Sequence, residues 1–498
     1  MKKYRFELIL FIVDAISMIV ELVASRILSP YFGNSNLVWT SVIGIILLSS
    51  SIGNYLGGKI ADGKEIDKKL KFILAATTLF VLVIPLVQNL AIQNVVALTS
   101  DIKVGAILST VVLFFVPSLL MGLLTPIIVK LKLNSLETAG AVSGRINAIA
   151  TIGGIIGTFL GGFYLIPYFG SIEILFLLAV VLALSLFLVD FKFEIKAVVF
   201  VGIIVVVSLF PMISFTRTNN ENGDIVRSGK MGESVSYDTQ YGRVLIYNSF
   251  IDGDAVRVLN IDSGYESITF TSPNKRNELV SAYTKYYDLM FSSEREIKDC
   301  LMIGGAGYSY PKYYISHFED RNMDVIEIDG EITELAKKYF YLDDLIKEYD
   351  LENTQRLHLI TEDGRTYLNN NQKKYDAVLN DAFSGSSPAK TLTTVEAVSH
   401  IKRSLNENGV YLTNIISSLE GENSQFLRAE VNTLRQVFKN VYIIPCKNAE
   451  DLETVQNSMV IATDSDLVFE GVYDLQIEED EIILSDNYCP VDSLIPYS

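Results

Sequence analysis

Hydropathy divides this chain near residue 215, and any fold must satisfy two solvents. Up to Phe215 the sequence is a series of apolar runs, at 6–29, 37–58, 71–93, 104–129, 144–166, 171–189 and 196–213. Each is about 20 residues long, the length that crosses a bilayer core as a helix. Beyond them the pattern turns polar and alternating, and a mean hydropathy of +0.31 over 498 residues is too apolar for one ordinary soluble domain. The expectation is an N-terminal α-helical multi-span membrane bundle over 1–215, with about seven helices. A linker follows over 216–236, marked by Asn219-Asn220-Glu221-Asn222-Gly223-Asp224. A small β-rich segment is expected over 237–292 and an α/β domain over 293–498. The first apolar run contains Asp14 and Glu21 and lacks a clear cleavage site, so it reads as a span rather than a cleaved signal.

Charge changes at the same boundary. Residues 1–215 hold 15 basic and 11 acidic side chains and the remainder 26 and 47, so +4 and −21 make up the net −17. An acidic C-terminal part disfavours nucleic acid and attracts small cations. With the N-terminus inside, Lys2, Lys3, Arg5, Lys59, Lys64, Lys68, Lys69, Lys71, Lys130, Lys132, Arg145, Lys192 and Lys196 fall on the cytoplasmic side, against Arg26 and Lys103 opposite. Seven spans would then place the C-terminal domain outside the cell. Within the first span Glu7, Asp14 and Glu21 recur every seven residues along one helical face, which fits a cation pathway or internal pairing with Arg26. Gly153, Gly157 and Gly161 place small residues one turn apart for close helix packing.

Function is carried by the run from Asp299 to Asp329. Leu301, Met302 and Ile303 suit a buried parallel strand. Gly304, Gly305 and Gly307 allow a tight turn and close approach to a ligand ahead of a helix N-terminus. Val325 and Ile326 then end a second strand at Glu327, whose carboxylate is placed to accept from two ribose hydroxyls. Two further acidic strand ends follow, at Glu362-Asp363-Gly364 and Asn380-Asp381-Ala382. In an open α/β sheet these all converge outside the carboxyl ends of the strands. The arrangement predicts a Rossmann-like, S-adenosylmethionine methyltransferase-like fold. Asp363 suits an adenine amino group, or is only a turn former, and Asp381 lies at the reacting end. The three cysteines and three histidines are not clustered at metal-ligand spacing, so no metal is expected.

These motifs resemble the spermidine synthases, and more closely the forms fused to an N-terminal membrane domain. The resemblance runs through Glu21 to Arg26, Val38-Trp39-Thr40, Gly57-Gly58 with Asp62, Gly153 to Gly162, Tyr241-Gly242-Arg243, Gly304 to Tyr308, Glu327-Ile328-Asp329, Asp363-Gly364 and Asn380 to Phe383. It implies a membrane-bound aminopropyltransferase that moves an aminopropyl group from decarboxylated S-adenosylmethionine to a di- or polyamine. Asp381 matches the family's catalytic aspartate. Gly304, Gly305, Gly307, Glu327, Asp363 and Gly364 would bind the nucleoside co-substrate, and Tyr241, Tyr283 and Ser384 the amine. The Ser-, Gly- and Pro-containing stretch from Ala382 to Thr394 would form a lid.

Three departures bear on substrate. Gly307 stands where the family carries an aspartate for the aminopropyl ammonium, Ser384 replaces a second aspartate, and Thr284 replaces a glutamine. Each lost charge-assisted bond is worth about 1.5–3 kcal/mol. Two alternatives therefore stand beside the first reading. One is another S-adenosylmethionine-dependent transferase, methyltransferase-like, on a membrane-associated substrate. The other is a polyamine- or nucleoside-sensing domain on a transporter-like bundle. The implied partners are a small-molecule amine and the lipid bilayer, with a homodimer left open. The localisation read is a multi-pass cell-membrane protein, with the domain in the cytosol on substrate grounds although the charge bias with seven spans argues for the outside.

Overall fold

The computed structural model describes residues 4–496 except 33–35, 100, 134, 136–137, 167–168, 191–194, 215–217, 220–224, 230–231, 263, 294, 385–386, 448–450 and 478–480. Side chains at 36, 102, 190, 195–197, 209–214, 218–219, 225–229, 232–233 and 384 also lie outside the described set. The chain forms two compact units, Met1–Ser228 with Val235–Arg243, and Gly229–Ser234 with Val244–Ser498.

The first unit is helical: α1 Arg5–Phe32, α2 Asn36–Ala61, α3 Ile66–Leu98, α4 Ile102–Lys132, α5 Ala139–Leu160, α6 Ser171–Ser185 and α7 Ile195–Ser214. Among the described residues, six helices are long and apolar enough to cross a membrane. The seventh expected span, 196–213, coincides with α7, whose described apolar part, Val198–Ser208, is shorter than a span requires. Glycines set the tightest packing. A Cβ at Gly153 or Gly157 of α5 would sit 2.4 or 2.3 Å from the carbonyl oxygens of Phe11 and Ala15 on α1. Gly53 of α2 and Gly122 of α4 meet the facing backbones at 2.2 and 2.4 Å in the same way.

Glu7 and Arg26 of α1 both pair outside their own helix. Glu7 is buried, and its carboxylate bridges Lys132 of α4 at 2.8 Å and Arg145 of α5 at 2.7 Å. Arg26 donates to the carbonyl oxygens of Thr239, Gln240 and Gly242, so the hydrogen bonds shown for its guanidinium hold a turn after the helices rather than Glu21.

Part of the stretch read as a linker is extended: strands occupy Thr218–Asn219, Ile225–Gly229 and Gly232–Asp238, with Thr218 opposite Val226. In the second unit, β1 (Arg243–Ile251), β2 (Asp254–Ile261) and β3 (Gly264–Phe270) pair antiparallel in sequence. A 3-10 helix over Ala282–Ser292 then leads into a seven-stranded sheet. Its strands are β4 Asp299–Ile303, β5 Asn322–Glu327, β6 Leu357–Thr361, β7 Tyr375–Asn380, β8 Leu405–Ser417, β9 Asn440–Pro445 and β10 Gln456–Thr463. The spatial order is β9-β10-β8-β7-β4-β5-β6, parallel except for β10, which pairs antiparallel with both neighbours. Central strands are buried on both faces, which is why residues 300–303 of β4 and 377–379 of β7 read as apolar runs without alternation. Helices α8 (Ser309–His317), α9 (Gly330–Tyr339), α10 (Gly364–Asn370), α11 (Val395–Ser404) and α12 (Gln425–Arg435) connect the strands or flank them in sequence.

Register positions the site. Ile303 pairs with Asn380 on one side and Ile326 on the other, so the loops that begin at Gly304, Glu327 and Asp381 leave one edge together. Chain order reverses between β4 and β7, and such a switch point opens a crevice.

Candidate active site

The glycine loop after β4 is built under local strain. Gly304 has φ +94°, and a Cβ there would lie 2.5 Å from the Asp381 carbonyl oxygen, so no other residue type fits. Ala306 and Tyr308 also adopt positive φ, of 42° and 55°, a conformation that side chains disfavour and that concentrates at functional turns.

Glu327 ties this loop down. One carboxylate oxygen accepts from the amides of Gly305 at 3.0 Å and Ala306 at 2.9 Å, the other from Asp329 at 3.1 Å. Burial raises its pKa above the ordinary glutamate range, and the three amides pull in the opposite direction. Here the carboxylate organises the loop as well as ending β5. Gly307 is packed against Ser267 and Phe340, where a Cβ would come within 2.6 Å of Ser267 Oγ. That crowding explains in physical terms why a longer acidic side chain is absent from the position.

Asp363 performs the turn-forming role that the sequence left open: its carboxylate accepts from Thr366 N at 2.8 Å and Thr366 Oγ1 at 3.0 Å, capping α10. Gly364 beside it is buried, with Ile303 Cγ2 2.7 Å from where its Cβ would be.

Asp381 sits at the mouth of a different space. Tyr283 Oη donates to one of its oxygens at 3.0 Å and Asn414 Nδ2 to the other at 3.2 Å. Asn457 Nδ2 in turn donates to Asn414 Oδ1 at 3.0 Å, which fixes the direction of the Asn414 amide. Burial raises the Asp381 pKa, while the hydrogen bonds from Tyr283, Asn414 and Tyr287 lower it. Burial and the nearby carboxylate push the Tyr283 phenol far above its ordinary range, so it remains a donor.

A cavity of about 510 Å³ opens beside this group. Gly304, Gly305, Tyr283, Thr284 and Asp381 line it, together with Glu266, Asn414, Asn457, Cys446 and Lys447, five side chains that sequence reading did not single out. They come from β3, β8, β10 and the turn after β9, which are brought together by tertiary pairing, so no local motif announces them. Glu327, Asp363 and Gly364 are not in the cavity wall, and Gly307 is not either. Tyr241 belongs to the first unit, with 43% of its surface exposed. The Ser384 side chain lies outside the described residues, although its backbone pairs with Ser387 in a two-stranded turn. Among the described residues no group of His, Cys, Asp and Glu is arranged to hold a metal.

A mixed sheet with this order, a strained glycine loop and acidic residues at three strand ends defines a methyltransferase-like α/β fold. More specifically, residues 287–466 match the spermine/spermidine synthase domain, so the C-terminal part of the chain carries that domain. A polyamine aminopropyltransferase of Vibrio vulnificus is 31% identical over 145 residues, covering 28% of this chain and 44% of that protein. One from Thermoplasma volcanium is 24% identical over 209 residues, or 42% of this chain and 70% of that protein. A probable spermidine synthase from Corynebacterium glutamicum has 17% identity and a TM-score of 0.40, over 47% of this chain and 81% of that one. The chain spans less than half the length of the Vibrio relative and of one from Methanocaldococcus jannaschii, which it covers to 37%.

Proposed function

We propose that the C-terminal domain is an aminopropyltransferase held at a membrane by the N-terminal helices, using decarboxylated S-adenosylmethionine as donor and an amine as acceptor. The observation that carries this reading is the Asp381 carboxylate, half-buried, fixed on both oxygens and lining a cavity of about 510 Å³ beside the glycine loop.

The chemistry asks little else of the protein. The acceptor nitrogen attacks the donor carbon next to the sulfonium, the carbon–sulfur bond breaks with its electron pair going to sulfur, and the nitrogen's surplus proton passes to Asp381. The leaving group is a neutral thioether nucleoside, so rate depends on aligning nitrogen, carbon and sulfur and on excluding water. Glu327 acts from behind by holding the amides of Gly305 and Ala306, and thereby the loop over which the nucleoside would lie. Tyr283 and Asn414 set the direction of the accepting carboxylate.

Six helices of sufficient length and apolarity support a membrane location for the whole chain. The test is product identification: the purified full chain is incubated with decarboxylated S-adenosylmethionine and a panel of amines, and separately with S-adenosylmethionine. Methylthioadenosine formed only when the decarboxylated donor and an amine are both present supports the reading. Adenosylhomocysteine as the sole nucleoside product would replace it with methyl transfer.

A further inference from the structure

The cavity beside Asp381 holds charges of both signs. Two acidic residues line it, Glu266 of β3 and Asp381 after β7, and so does Lys447, which is exposed to solvent. Among the described residues Lys447 is the only lysine or arginine in that wall. Its backbone is held in place: its amide donates to Gln456 Oε1 at 3.1 Å, and the amide of the preceding Cys446 donates to Asn457 O at 3.0 Å. The Cys446 thiol is buried, and Cys446 lines the cavity together with Tyr283, the phenol bonded to Asp381. The turn that carries Lys447 is therefore next to the reacting end of the site.

A simple diamine presents only cations. One ammonium meets Asp381 or Glu266, but a second would share the cavity with the Lys447 ammonium, and like charges at short range disfavour one another. At Gly307, Ser267 and Phe340 leave no room for another carboxylate. A ligand with an amine at one end and a carboxylate within reach of Lys447 matches all three charged groups.

We propose that this cavity takes a ligand bearing an aminocarboxylate, with Lys447 as the residue that recognises the carboxylate. The inference rests on the proposed function in taking Asp381 as the group that meets the amine. Two sources offer this chemistry: an amino acid with a second amine as acceptor, or the amino-acid tail of intact S-adenosylmethionine as donor.

Calorimetric titration of the full chain in detergent separates them. One arm compares S-adenosylmethionine with its decarboxylated form; the other compares ornithine with putrescine in the presence of methylthioadenosine. In the arm that holds the true source, the carboxylated ligand binds more tightly. Lys447→Met weakens it about ten- to hundredfold, the loss expected for one charge-assisted bond, and tightens binding of the ligand without the carboxylate. Lys447→Arg restores the original order. The inference is overturned if both arms prefer the decarboxylated ligand, or if Lys447→Met shifts both members of each pair by the same factor. The underlying reading is checked separately by Asp381→Asn, which should weaken both members of the amine pair alike. If it leaves both unchanged, Asp381 is not the amine's partner, whatever Lys447 does.

Discussion

Replacing Asp381 by Asn separates chemistry from architecture, because the surroundings of this side chain tolerate the amide. Asn414 cannot turn its amide over, since Asn457 donates into its oxygen, so it continues to present Nδ2. An asparagine at 381 would accept that bond with its oxygen and offer its own NH2 to Tyr283, whose hydroxyl can switch from donor to acceptor. Every bond is then kept, and the burial that raises the Asp381 pKa acts on a neutral group instead. A raised folded-state pKa means that this carboxyl favours the folded form when protonated and loses that contribution as pH climbs through the folded value. Asp381→Asn should therefore be neutral or stabilising near pH 7. Catalysis should suffer, because a positioned general base contributes about 10²–10⁴ in rate, or about 2.7–5.5 kcal/mol of barrier. The assay is methylthioadenosine release at saturating donor and amine from pH 5 to 9. Wild-type turnover should rise through a limb displaced above the ordinary aspartate range, and the variant should lose both the limb and at least a hundredfold in kcat. A variant within threefold of wild type across that range would refute the assignment of Asp381 as base.

Gly304→Ala should cost at least about 2 kcal/mol, from the positive-φ penalty and the 2.5 Å approach of its Cβ to the Asp381 carbonyl; urea unfolding and nucleoside titration together would read it, and an unchanged midpoint would contradict the close packing. Glu430 of α12 is wholly buried and one of its oxygens has no hydrogen-bond partner, so burial alone raises its pKa well above the glutamate range. Its stabilising contribution is full below the unfolded value of about 4.3 and is lost as pH rises toward the folded one, so Glu430→Gln should stabilise at pH 8 more than at pH 4.5; the urea midpoint by circular dichroism checks the sign. Glu7→Gln removes the carboxylate that Lys132 and Arg145 share and should lower the stability of the helical unit by about 1–3 kcal/mol, measured by detergent-induced unfolding. The double variant Glu7→Gln with Lys132→Met should recover part of that loss.

Which parts of this molecule were legible follows from how far apart in sequence the cooperating residues lie. The β4–loop–β5 unit is local: thirty-odd residues hold its strands, turn and carboxylate, and apolar runs ending in Gly304 and Glu327 gave their register away. Asp381 was legible for the same reason, as the residue after a buried run. Asp363 shares that position, yet its short carboxylate is engaged by Thr366 three residues on, and a capping aspartate and a ligand-binding one look alike in sequence. The extended strands within 216–236 were hidden by a run of Asn, Glu, Gly and Asp that outweighs the alternation beside it. The cavity wall was out of reach altogether. Asn414 and Asn457 meet because β10 runs antiparallel to β8 with Ile416 opposite Asn457, so two polar residues 43 positions apart become hydrogen-bonded neighbours on adjacent strands.

That arrangement also accounts for the division of labour in the domain. The strand-end motif that resembles spermidine synthases holds the glycine loop and Asp381, the proposed base, and both can be recognised from a short alignment. The polar cavity residues Glu266, Asn414, Asn457 and Lys447 come from the antiparallel strands β1–β3 and from the antiparallel side of the sheet. A substitution at any of these four leaves the motif intact while changing the charge or the hydrogen bonding that an incoming ligand meets. Under the proposed function, substrate choice can therefore change without any visible change in the strand-end motif, and the crowded Gly307 and the lysine in the cavity wall are the two positions where such a change would be read first.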